Sequence, residues 1–199
     1  MANITAAQVK ELRDLTSAGM LDCKNALKEC DGDVAKAQEW LRRKGMAKAD
    51  SKASRTAAEG RIGCYIHHTG KVGVMVELDC ETDFVAATEE FKALLQDICL
   101  QIASMHPVYV SREEIPAEVI EKEIEGYKRN AIESGKPEQM AEKIAKGQVD
   151  KYFREMCLLD QAFVRDESVT IGDKIKQAVG KIGENIVVRR FCRMAIGDE

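Results

Sequence analysis

Apolar positions in the first 44 residues recur at helical intervals. Thr5 followed three residues later by Gln8 has the spacing of a capping box, and Val9, Leu12 and Thr16 then repeat about once per turn, which predicts a helix. Gly19 breaks that pattern, Leu21 to Cys30 predicts a second helix, and Asp31-Gly32-Asp33 supplies a stop followed by a new N-cap. Beyond it Val34, Ala37 and Leu41 share one face, with the single tryptophan, Trp40, beside them. Three helices of this length can bury a small common core, so residues 1–44 are predicted to form a domain. Gly45 is read as the end of the third helix. The stretch to Gly60, rich in Lys, Ala and Ser and nearly free of large apolar residues, is read as a linker with some helical tendency.

After residue 60 the period changes to two. Val72, Val74, Val76 and Leu78 alternate with Gly73, Met75, Glu77 and Asp79, the signature of a half-buried strand. Arg61 to His68 is its expected hairpin partner across Thr69-Gly70. Phe91, Leu94, Leu95, Ile98 and Ile102 then form an apolar helical stripe that Pro107 stops, with a short strand predicted over 108–110. A helix is predicted from Ala117 to Ser134, closed by Gly135, and another from Pro137 to about Leu158. The segment Glu184 to Ile196 is rich in strand formers and is expected to complete the sheet. The predicted class is α+β: three N-terminal helices over 1–44, a linker over 45–60, and over 61–199 a core of antiparallel sheet faced by helices.

Composition narrows the function classes. The chain has 199 residues, 32% charged and 45% hydrophobic, with net charge −4. That describes a folded chain without the basic footprint of a dedicated nucleic-acid binder. No apolar run reaches the length of a membrane span, and the charged N-terminus does not resemble a signal peptide, so the expected location is cytoplasmic. Seven cysteines, at 23, 30, 64, 80, 99, 157 and 192, form no CxxC pair and are read as reduced, mostly buried thiols. They share no metal-ligand spacing with His67, His68 and His106, so no metal or other cofactor is expected.

Sequence chemistry is sparse. No GxSxG or HExxH occurs, and the Gly70-Lys71 pair lies in a predicted hairpin, not at a strand-to-helix turn that cradles phosphate. His67 and His68 admit an acid–base role with an acidic neighbour, since histidine as a residue type serves that chemistry, against a plain hairpin role. Glu77, Asp79, Glu81 and Asp83 admit either a hard-cation site or a solvated face. The segment Cys80-Glu81-Thr82-Asp83-Phe84-Val85 connects the strand to the apolar helix. There Phe84 is either a buried staple ahead of a helix capped by Thr88 or an exposed aromatic anchor beside a carboxylate.

Two long motifs make the chain recognisable. The first runs Leu12-Arg13-Asp14-Leu15-Thr16-Ser17-Ala18-Gly19-Met20 and continues to Lys24-Asn25-Ala26-Leu27; the second is Glu77-Leu78-Asp79-Cys80-Glu81-Thr82-Asp83-Phe84-Val85-Ala86. With similar stretches at 135–137, 158–164 and 185–197, the chain closely resembles the bacterial elongation factor Ts family, the nucleotide exchange factors for elongation factor Tu. It departs from the family pattern at Asp79, commonly Asn, at Ala87, commonly basic, and at Ser17, commonly Gly. It resembles the short members, which have one sheet-and-helix unit and no coiled-coil insertion and are expected to pair as homodimers.

The resemblance implies that residues 1–44 form a ubiquitin-associated-like domain docking on the partner's nucleotide-binding domain. It implies that Thr82, Asp83, Phe84 and Val85 form the loop that inserts between partner helices. Phe84 would then be the wedge and Asp83 its polar anchor, and the disturbed magnesium ion and phosphate loop let GDP leave. GTP later expels the factor. Met20 and Lys24 are implied as further docking residues, and Val72, Gly73 and Gln101 as additional ones. Such a protein needs no catalytic base and is not an enzyme. A different class also fits the residues: a general protein-interaction module without exchange activity, in which residues 1–44 alone bind the partner.

Overall fold

A computed structural model describes residues 4–16 and 18–197. Ser17, one of the departures from the family pattern, lies outside the described residues. The chain is mixed helix and sheet, as the periodicities predict, and divides into two compact units. One comprises the residues up to Gly60 together with Asp79–Phe91 and Ile175–Val187; the other comprises Arg61–Leu78, Lys92–Lys174 and the residues from Val188.

The first unit opens with helices α1 (Ala6–Thr16), α2 (Met20–Glu29) and α3 (Val34–Asp50). The capping box forms as its spacing predicts: Gln8 N–H donates to Thr5 Oγ1 at 3.3 Å and Thr5 N–H to Gln8 Oε1 at 3.0 Å. Asp33 caps α3 by accepting from Lys36 N–H at 3.0 Å. Val9, Leu12, Cys23, Ala26, Leu27 and Ala37 are buried together, and Val34, Trp40 and Leu41 pack against them.

Gly45 does not end α3. The helix continues to Asp50, and a Cβ built at Gly45 would meet open space, whereas one built at Gly180 would lie 2.9 Å from the Gly45 Cα, so the close approach of the two backbones requires glycine at 180. Gly180 belongs to α8 (Ile171–Ile182), a helix the sequence reading did not identify. The Lys176–Asp50 ion pair, at 2.8 Å, lies along the same contact.

Most of a three-stranded antiparallel sheet falls in the second unit, in the order β1 (Glu59–Ile66), β2 (Val72–Cys80), β5 (Ile186–Ala195). His67 N–H donates to the Val72 carbonyl at 2.8 Å across the hairpin, and Ile196 N–H donates to the Lys71 carbonyl at 2.9 Å. These bonds place Cys64, Met75 and Cys192 in one row across the strands, with Glu77 beside Arg190 at 2.6 Å in the next. One face of the sheet is covered: Val74 and Val76 are buried, and a Cβ at Gly63 would strike the Leu95 side chain at 2.5 Å. Leu95 lies on α5 (Glu89–Met105), whose predicted stripe is buried at Leu94, Leu95, Ile98 and Ile102.

After α5 the expected short strand reduces to a single parallel bridge, Tyr109 with Cys157. Helices α6 (Ala117–Glu133) and α7 (Glu138–Met156) form a hairpin, entered at Pro116 and Pro137, whose fixed φ suits a helix start. A small hairpin of β3 (Ala162–Phe163) and β4 (Asp166–Thr170) follows, also not anticipated from sequence.

Candidate functional site

The connection after β2 folds into a four-residue helix, α4 (Asp83–Ala86). Thr82 takes an extended conformation ahead of it, and its Oγ1 accepts from Val85 N–H at 3.4 Å. Thr88 accepts from Phe91 N–H at 3.3 Å, the predicted cap of the next helix. Between these two caps Ala86 is buried, Val85 half-buried, and Asp83 exposed. Phe84 is 82% exposed, which decides between buried staple and displayed anchor in favour of display.

Behind the loop lies a set of charge-assisted bonds to residues about a hundred positions away. The Glu184 carboxylate accepts from Glu81 N–H at 3.1 Å and Thr82 N–H at 3.0 Å through Oε2, and from the Thr82 hydroxyl at 2.7 Å through Oε1. In return the Glu81 carboxylate accepts from Asn185 N–H at 2.7 Å, and its other oxygen pairs with Arg55 at 3.5 Å. The Asn185 amide donates to the carbonyls of Ala53 and Arg55. The Cys80 thiol donates to the Thr82 carbonyl at 3.1 Å; burial first, and then the Glu184 charge, push its pKa up, so it remains a thiol. Neither Glu184 nor Asn185 had been singled out from sequence. No local spacing connects them to Thr82, and only the fold brings them together.

Met20 and Lys24 occupy the first turns of α2 in the same unit and are exposed. Leu15 at the end of α1 and Leu21 beside Met20 are also exposed, Leu21 at 71%. Sequence reasoning named neither as a candidate. Asp22 is bracketed by Lys44 at 3.0 Å and Lys48 at 3.1 Å, whose hydrogen bonds hold its carboxyl below the usual range.

The remaining candidates lie in the second unit. Val72 and Gly73 begin β2, half-buried, and a Cβ at Gly73 would meet open space. Gln101 has no exposed surface. Its amide donates to Gln161 Oε1 at 3.1 Å and the Ala162 carbonyl at 3.0 Å, and its oxygen accepts from Val164 N–H at 2.9 Å. That network pins the segment 161–164.

The four acidic residues of the strand end do not converge. Glu77 pairs with Arg190, Glu81 with Arg55, Asp79 is buried and Asp83 exposed; among the described residues no group of three metal-ligating side chains forms. His67 bonds the Tyr65 hydroxyl at 3.0 Å, and its ring lies 4.2 Å from that of His68 at a tilt of 56°, an aromatic cluster at a hairpin. Cys64 and Cys192 are exposed, unlike the buried Cys23, Cys80, Cys99 and Cys157.

The family model for Elongation factor TS matches residues 2–178, the span that carries both motifs and the loop. The chain belongs to the elongation factor Ts family. It is 54% identical over 197 residues to the Elongation factor Ts of Oleidesulfovibrio alaskensis, covering 99% of this chain and all of that one. It is 56% identical over 195 residues to that of Fervidobacterium nodosum, covering 98% and 99%, and 53% identical over the full length of both chains to that of Solidesulfovibrio magneticus. Membership places the chain among translation elongation factors. Among the described residues no helix is long and apolar enough to cross a membrane.

Proposed function

We propose that this chain is a cytoplasmic guanine nucleotide exchange factor for elongation factor Tu, working without covalent chemistry. The observation that carries the reading is Phe84: a large aromatic left 82% exposed on a doubly capped turn, inside the motif that marks the family. Exposure of that kind is unfavourable for the isolated chain and becomes favourable in an apolar pocket of a partner.

The proposed sequence of events follows from linkage. The surface of Leu15, Met20, Leu21 and Lys24 docks, and the Thr82–Val85 loop enters between partner helices. Moving those helices would disturb the magnesium ion and the phosphate loop that hold the partner's nucleotide, and GDP would leave. A nucleotide held at nanomolar affinity is bound by about −12 kcal/mol, so its unassisted departure is slow. Burying one phenylalanine side chain contributes about 1.5–3 kcal/mol, enough by itself for a rate effect of tenfold to a hundredfold. Because the factor weakens nucleotide binding, nucleotide weakens factor binding equally, and GTP expels the factor.

The same proposal includes pairing of two copies through the uncovered sheet face. Ile62, Cys64 and Ile66 of β1, Met75 of β2 and Met194 of β5 are exposed there, with the Glu77–Arg190 pair at one end. On this reading alkylation of Cys64 and Cys192 slows as protein concentration rises, because pairing covers both. A rate independent of concentration contradicts it.

The exchange reading is tested by release of a fluorescent GDP from purified elongation factor Tu, with and without this protein. The expected result is an acceleration that persists with excess GTP present to refill the emptied partner, so that a small amount of factor serves many partners. Binding without acceleration favours the alternative, an interaction module with no exchange activity.

A further inference from the structure

We propose that Glu184 is a positioning residue for the exchange loop, the carboxylate that fixes Thr82 and through it the direction in which Phe84 is displayed. The inference rests on the exchange reading above and adds the group on which the loop's order depends.

Three observations lead to it. Helix α4 is four residues long, too short to be stable through its own hydrogen bonds, since a helix nucleus is costly and is recovered only over several turns. Phe84, at 82% exposure, makes almost no packing that could anchor the turn from its own side chain. Beside the buried Ala86, the loop is held from behind, where one carboxylate gathers three donors: Glu81 N–H, Thr82 N–H and the Thr82 hydroxyl, at 3.1, 3.0 and 2.7 Å.

The Thr82 hydroxyl has one proton and two lone pairs. With the proton committed to Glu184, a lone pair remains for Val85 N–H, so the carboxylate sets the rotamer that caps α4. The clasp closes from the other side as well, where Glu81 accepts from Asn185 N–H at 2.7 Å and the Asn185 amide bonds the Ala53 and Arg55 carbonyls. A loop ordered before docking avoids the entropy of ordering it on the partner. Loss of the clasp should therefore lower the maximal exchange rate more than the affinity of docking, which other surfaces supply.

The experiment compares the intact chain with Glu184→Gln and Glu184→Ala by two readouts, amide hydrogen exchange and release of fluorescent GDP from elongation factor Tu. Glu184→Ala is expected to raise amide exchange at Glu81 and Thr82 at least tenfold while the amides of β2 and α5 keep their protection. Its maximal GDP release rate is expected to fall about tenfold, with the half-saturating concentration changed less than twofold. Glu184→Gln, which keeps the length and one accepting oxygen, should fall between the two proteins on both readouts. If Glu184→Ala loses protection throughout the chain, the Gln variant carries both measurements. Retained protection at Glu81 and Thr82, or lost protection with an undiminished release rate, overturns the proposal. If the intact chain itself leaves GDP release unchanged, the exchange reading fails, and loop positioning is then decided by the amide readout alone.

Discussion

Phe84 and Phe91 stand seven residues apart, each just after a threonine that caps a helix, and they meet opposite fates. Phe91 is fully buried at the head of the apolar stripe of α5; Phe84 is 82% exposed on a four-residue turn. Local sequence treats the two alike. The difference arises from what surrounds each: a seventeen-residue helix carries Phe91 into a core, whereas α4 ends before its side chain can reach one. Phe91 stabilises the fold, and Phe84 packs against little of it.

The most disruptive change should be Phe91→Ala. A buried phenylalanine removed from a packed core costs about 3–5 kcal/mol, read as a shifted midpoint in denaturant unfolding. Any loss of exchange activity in that variant should track its unfolded fraction. Phe84→Ala should do the reverse: stability within about 0.5 kcal/mol of the parent, as for an exposed site, with GDP release slowed by tenfold to a hundredfold. A Phe84→Ala protein as destabilised as Phe91→Ala would erase the contrast.

Gln101→Leu extends the comparison to a polar candidate. Fully buried, it should behave like Phe91, costing about 1–3 kcal/mol through the partners left unsatisfied at Gln161, Ala162 and Val164. An effect on exchange at unchanged stability would instead show that Gln101 acts through the partner.

The smallest effect expected is that of Asp22→Asn, beside the exposed Met20. The hydrogen bonds from Lys44 and then Lys48 depress the Asp22 pKa. Its contribution is thus present above the ordinary carboxylate value of 3.8 and lost as pH falls through the lower folded value. Discounted for the exposure of all three side chains, it amounts to about 0.5–1 kcal/mol at neutral pH. Unfolding curves of parent and variant should differ at pH 7 and converge below the folded value. A difference that persists there contradicts the assignment to this ion pair.

Much of the fold was legible because burial imposes a period. The capping box at Thr5, the alternation of β2 and the stripe of α5 each follow from which face meets the core. One glycine was misread. Gly45 reads locally as a helix breaker, yet it lies inside α3 where the backbone of Gly180 approaches, and such an approach is a property of two distant segments. The site divides in the same way. Thr82 to Val85 could be singled out as a motif, but the exposure of Phe84 and the convergence of Glu184 and Asn185 on the loop depend on pairings a hundred residues apart. Exposure of Cys192 was likewise missed, because an apolar strand at a sheet edge does not reveal which face is covered.

The central claim is that Phe84 is displayed for a partner and is not needed by the fold. Its most direct test is the rate of GDP release from elongation factor Tu driven by the parent and by Phe84→Ala, with thermal unfolding of both recorded in the same buffer. The account predicts matching unfolding curves and a release rate at least tenfold lower for the variant. Equal release rates at equal stability would contradict it.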